Sequence, residues 1–139
     1  MQINRKIKIA IAALWAFAIP ALSLLPPRFF HRLLDSTIPT VPGTDKIVHA
    51  IMYAVLTALL LWALRPTDKR ISLRLIWNVV VLAILYGILM EMLQDLFHDT
   101  ISRTGDPWDG LANAVGAAVV ALAWWLLKPR QPQPQKADQ

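Results

Sequence analysis

The sequence contains no cysteine in 139 residues. That excludes disulfide scaffolds, thiolate zinc centres and cysteine nucleophiles. Charge is scarce as well, at 17% of the chain. A soluble domain of this size exposes much of its surface to water and carries more charge than this. Apolar residues make up 56%, and the mean hydropathy is +0.47, which excludes a disordered chain. A single-domain membrane protein is what these limits leave.

A bilayer core takes roughly 20 apolar residues as helix. Four stretches meet this, at about 7–25, 47–64, 75–97 and 108–127. Prolines and a glycine punctuate them: Pro26 and Pro27, Pro39 and Pro42, Pro66, Gly105 with Pro107, and Pro129. Pro20 falls inside the first stretch and predicts a kink there. The apolar stretch is long and no clear small-x-small cleavage site precedes the double proline, so it reads as a retained span and not a signal peptide. The expected fold is an all-α membrane protein, a four-transmembrane-helix bundle filling residues 1–128. Residues 129–139, PRQPQPQKADQ, read as a disordered cytoplasmic tail.

The basic residues set the orientation. Arg5, Lys6, Lys8, Arg65, Lys69, Arg70, Arg74, Lys128, Arg130 and Lys136 flank one side of the spans; Arg28, Arg32, Lys46 and Arg103 flank the other. The positive-inside rule then puts both termini and the middle loop in the cytoplasm. The net charge of +5 is thereby read as a topology signal, with nucleic acid excluded as a partner. In the first outer loop, RFFHRLLDS (28–36) spaces Phe29, Phe30, Leu33 and Leu34 as one helical face, which predicts a short interfacial helix.

The polar residues within the spans gather near the outer ends. Asp45, His49 and Tyr53 follow at i, i+4 and i+8 in the second span. Glu91, Gln94, Asp95 and His98 share a stripe in the third, with Gly87 one turn inward. Asp109, Asn113 and Gly116 share one in the fourth, and the loop before it supplies Arg103 and Asp106. Glu91 lies roughly 9 Å below the helix end at 1.5 Å per residue. An ionisable group at that depth faces the bundle interior or a wet cavity, and it needs a partner. His49, Lys46 and Arg103 are the candidates, with Asn113 and Gln94 as hydrogen-bond donors.

Three motifs carry a family resemblance: DKIVHAIMYAVL (45–56), YGILMEMLQ (86–94) and RTGDPWDGLANAVG (103–116). In this order and spacing they resemble the VanZ-like membrane proteins, over nearly the whole chain. The resemblance implies a bacterial plasma-membrane protein connected with the cell envelope, in a family linked to glycopeptide (teicoplanin) resistance. The family's recurrent positions carry over by this resemblance as Asp45, Lys46, His49, Tyr53, Glu91, Gln94, Arg103, Asp106, Asp109 and Asn113. The resemblance supplies no reaction and no cofactor.

Two readings of these residues compete. In the first they form a pocket at the outer leaflet for a lipid head group or a lipid-linked cell-wall precursor. Glu91 is then the buried acid or base, His49 its proton partner, and Lys46 with Arg103 the anion clamps. Asp45, Tyr53, Gln94, Asp106, Asp109 and Asn113 complete the ligand-binding set. In the second the same residues are a non-catalytic interhelix clamp. A pocket predicts an outward-open, hydrated cluster; a clamp predicts a dry and fully paired one. A metal centre at His49, Glu91, Asp109 and His98 lacks any paired-histidine spacing, so no metal is expected. A transporter is disfavoured, because no inverted repeat is visible and no charge lies in the cytoplasmic half of a span.

Overall fold

The computed structural model describes residues 3–24, 43–66, 71–101 and 105–127. Five helices appear among them: α1 Arg5–Leu24, α2 Thr44–Leu64, α3 Leu73–Leu96, the short α4 His98–Ile101, and α5 Pro107–Leu126. Four of these, α1, α2, α3 and α5, are long and apolar enough to cross a membrane. The predicted interfacial helix at 28–36, Arg103 and the tail at 129–139 lie outside the described residues.

Helix boundaries follow capping chemistry more closely than hydropathy. Ser72 precedes α3 in an extended conformation, and its hydroxyl accepts from the Leu75 N–H at 3.1 Å. Asp106 caps α5 in the same way, accepting from the Trp108 N–H at 2.9 Å, with Pro107 in the first turn. α2 starts at Thr44, three residues before the apolar run, so Asp45 and Lys46 lie in its first turn.

α5 packs against α2 and α3, while α1 lies on α2 and, more lightly, on α3. The outer surface is apolar: Leu14, Phe17, Leu85, Met92, Val119 and Leu122 are all exposed. That is the pattern of helices solvated by lipid. One buried cluster joins Ile19, Met52, Tyr53, Leu56, Ala83, Met90 and Ala117. A second joins Leu61, Ile71, Ile76, Val79, Val80 and Ala121. Beyond the second cluster lies a basic, aromatic end. There Lys8 stands 5.2 Å from the Trp62 ring and Arg65 5.9 Å from the Trp124 ring.

Two features explain how the helices are held. First, α5 meets α2 backbone to backbone. A Cβ on Gly116 would overlap the Ala50 carbonyl, so only glycine permits the approach. Second, α1 offers carbonyls that its own helix does not bond. Pro20 has no N–H for the carbonyl of Ala16, four residues earlier, and the Tyr86 hydroxyl donates to that oxygen at 2.6 Å. Ser23 sits in the last turn of α1, where carbonyls have no intrahelical donor, and the Gln94 amide donates to its oxygen at 3.1 Å. The Trp15 indole N–H donates to the Met52 carbonyl at 3.0 Å, tying α1 to α2 as well.

Gly116→Val should destabilise the protein by about 3 kcal/mol, the upper part of the usual overpacking range, since backbone cannot step aside as a side chain can. Tyr86→Phe, which only removes one bond to α1, should cost about 1 kcal/mol. Thermal unfolding in detergent measures both, and Gly116→Val should show the larger fall in Tm.

Candidate functional site

The site forms where the N-termini of α2 and α5 meet the C-terminal end of α3. Lys46 is its outermost node. Its Nζ donates to Asp45 at 3.1 Å, Asp106 at 2.9 Å and Asp109 at 3.3 Å. The contacts to Asp106 and Asp109 join α2 to α5 and to the cap of α5. All three ammonium donors are therefore engaged by carboxylates. Lys46 is committed to acidic partners, where an anion clamp calls for it to be open to a phosphate.

His49, one turn inward, is buried at 3% exposure. Its Nδ1 lies 3.2 Å from the Asn113 side-chain oxygen, a hydrogen bond in the tautomer protonated at Nδ1. The same nitrogen lies 3.7 Å from Glu91 Oε1, and Nε2 lies 3.7 Å from Asp109 Oδ2. The ring thus stands between two carboxylates on different helices, with oxygens facing both of its nitrogens. A neutral imidazole carries one N–H and can satisfy only one side at a time.

Glu91 is held asymmetrically. Oε2 accepts the Asp106 backbone N–H at 3.0 Å, while Oε1 is buried with no hydrogen-bond partner among the described residues. The loop that brings Asp106 there is tied down by Asp95, which accepts the Gly105 N–H at 2.7 Å. A Cβ on Gly105 would come within 2.6 Å of the Glu91 carbonyl, so glycine lets this loop lie against α3. Asn113 Nδ2, Tyr53 OH and, further along α2, Thr57 Oγ1 are likewise buried without a partner among the described residues. Gly87 lets the Asn113 and Tyr53 side chains pass: its Cβ position is 3.1 Å from Asn113 Nδ2 and 3.4 Å from the Tyr53 ring.

The expected residues therefore separate. Asp45, Lys46, His49, Glu91, Asp106, Asp109 and Asn113 come together. Tyr53 borders them as a packed ring, but its hydroxyl makes no hydrogen bond to the cluster. Gln94 turns to α1 and holds the Ser23 carbonyl instead of meeting Glu91. His98 is exposed and bonded to its own neighbours, Asp95 and Asp99, away from His49. The grouping of His49, Glu91, Asp109 and His98 weighed for a metal does not assemble. The carboxylate oxygens that do cluster, within 4.8 Å of one another, belong to Asp45, Asp106 and Asp109, and Lys46 already bonds all three. Arg103 lies outside the described residues. Sequence reasoning missed Thr57, which continues the series of Asp45, His49 and Tyr53 by one more turn and is fully buried. Gly105, which seats the loop on Glu91, carried no stronger signal than a turn, and Asp95, which bonds it, only its place in the α3 stripe.

Comparison with known proteins finds no match to this chain among protein-family models, curated proteins or solved structures.

Asp106 lies just outside the spanning segment. The Trp108 N–H, and after it the Lys46 ammonium, hold its carboxyl below the ordinary carboxylate range. A carboxylate depressed by folding stabilises the protein fully above its unfolded value, and that contribution disappears as pH falls toward the folded value. Stability should therefore drop on acidification below the ordinary Asp range. Asp106→Asn should flatten this part of the profile, read as Tm against pH; an unchanged profile would exclude the cap and ion pair as its source.

Proposed function

We propose that the protein is a bacterial plasma-membrane protein with both termini in the cytoplasm, and that its outer-end site binds the polar head of an envelope lipid or lipid-linked precursor. The excess of Lys and Arg on the opposite side supports the orientation. The three motifs that resemble VanZ-like proteins support the envelope connection. Glu91 carries the reading. One of its oxygens is anchored by a backbone N–H, and the other is buried beside His49 with no donor among the described residues. A clamp built only to hold helices together would pair that oxygen, because an unmet carboxylate oxygen out of water is costly.

The charge of the site narrows which part of a head group it meets. Three carboxylates, Asp45, Asp106 and Asp109, stand around Lys46, and a fourth, Glu91, faces His49. Glu91 Oε1 accepts hydrogen bonds, so it suits a hydroxyl, amide or ammonium of the head group and repels a phosphate. The phosphate is left to Arg103, two residues before Gly105 in the sequence. His49 and Glu91 are then the pair across which a proton passes when the ligand is held. A second reading has its own support: the Lys46 node ties α2 to α5 through Asp106 and Asp109, as an interhelix clamp does.

Native mass spectrometry of the protein purified with its own membrane lipids tests the choice. Wild type should retain a defined phospholipid or polyprenyl-linked lipid that Glu91→Gln and Arg103→Ala each lose while remaining folded. Equal lipid retention by all three forms, with only heat stability reduced in the variants, would establish the clamp and reject the binding site.

A further inference from the structure

The polar stripe of α2 does not stop where the cluster stops. Asp45, His49, Tyr53 and Thr57 follow one another at four-residue spacing, so they lie on one face of the helix. From Asp45 to Thr57 the stripe runs about 18 Å, past the middle of a span that crosses a core of about 30 Å. Its inner two members are sealed from the surface. Tyr53 is 1% exposed and Thr57 0%. Neither the Tyr53 hydroxyl nor Thr57 Oγ1 has a hydrogen-bond partner among the described residues.

Both absences call for a physical cause. A threonine in a helix ordinarily donates to the carbonyl four residues back, here that of Tyr53, and Thr57 makes no such bond. A buried tyrosine hydroxyl ordinarily finds an acceptor, as Tyr86 does at Ala16. In hydrocarbon a polar group has no solvent to fall back on, so buried hydroxyls without protein partners are the usual anchors of internal water. A water needs two to four polar partners. Tyr53 OH, Thr57 Oγ1, Asn113 Nδ2 and Glu91 Oε1 are four groups of the right kinds without a partner among the described residues: two hydroxyls, an amide donor and a carboxylate acceptor. Beside Tyr53, α3 and α5 contribute the small residues Ala83, Gly87 and Ala117 together with the larger Met90 and Tyr86, whose ring centroid is 6.3 Å from that of Tyr53. One turn further along α2 comes Leu61, packed with Ile76, Val79, Val80 and Ala121, which closes the row with dry apolar surface.

We propose that bound water occupies the α2 stripe from His49 inward through Tyr53 to Thr57, so that the site is the mouth of a closed, hydrated slot reaching the middle of the bundle. Water held there links the His49–Glu91 pair to the Tyr53 hydroxyl and gives protons an internal place to exchange. The slot ends at Leu61, so it is a blind well and not a channel. The inference rests on Tyr53 and Thr57 and does not require any lipid to bind at the mouth.

The test is water-edited solid-state NMR on the full chain in lipid bilayers, following polarisation from water protons to side chains. Tyr53 and Thr57 signals should build up at rates comparable to those of exposed His98, while Leu61 and Val79 stay slow. Tyr53 and Thr57 as slow as Leu61, or polarised from lipid head-group protons in place of water, overturns the proposal. Thr57→Val gives an independent reading, because valine keeps the shape and removes the hydroxyl. If Thr57 anchors water, the variant loses a bound water and its Tm shifts down. A shift up means that a dry, unmet hydroxyl has been relieved, and the slot is then refuted.

Discussion

Where Gly116 of α5 crosses Ala50 of α2, the two backbones touch with no side chain between them. The polar site depends on this contact. Ala50 follows His49 directly, and Asn113 lies one turn before Gly116. Close approach at one level therefore sets the 3.2 Å separation of His49 and Asn113 at the next. The same approach brings Asp109, one turn further out on α5, up to Lys46 of α2. Dispersion between closely packed helices is what lipid cannot supply equally well, so small residues at the crossing serve as both adhesive and ruler.

Hydrocarbon solvent explains the rest of the arrangement. A soluble bundle can leave a helix end or a proline gap to water. Here Tyr86 answers the carbonyl that Pro20 leaves without a donor, and Gln94 answers one in the last turn of α1. These bonds fasten α1, the helix with the thinnest contact to the bundle, along two levels of α3. The cost of an unmet polar group does the work that a larger apolar interface would do in water.

The candidate site has two grades of pairing. Its outer layer, Lys46 with Asp45, Asp106 and Asp109, is closed on itself. Its inner layer is partly open: Glu91 Oε1, Asn113 Nδ2, Tyr53 OH and Thr57 Oγ1 all face the interior without protein partners among the described residues. An outer layer of this kind fixes geometry and an inner one of this kind can exchange partners. That division fits a site that is held rigidly at its rim while protons and hydrogen bonds rearrange within.

The number and approximate extent of the spans were legible in the amino-acid order, since each needs only a run of apolar residues of bilayer length, a property of the local chain. So was the gathering of polar residues at one end, because Asp45, His49 and Tyr53, or Asp109 and Asn113, share a face through helical spacing alone. Most partner choices were not legible; of the α3 stripe, only Glu91 facing His49 was anticipated. Glu91, Gln94, Asp95 and His98 sit on one stripe of sequence, yet they reach respectively to His49, to α1, to the Gly105 loop and to Asp99. Periodicity assigns a residue to a face of its own helix, whereas its partner is decided by which neighbouring helix lies over each turn. The amino-acid order of this chain determined four helices long and apolar enough to cross a membrane, with polar residues gathered at one end. Only the tertiary structure decided that Lys46 is spent on three carboxylates and that Glu91 keeps an oxygen without a partner among the described residues, because both follow from how the helices approach one another.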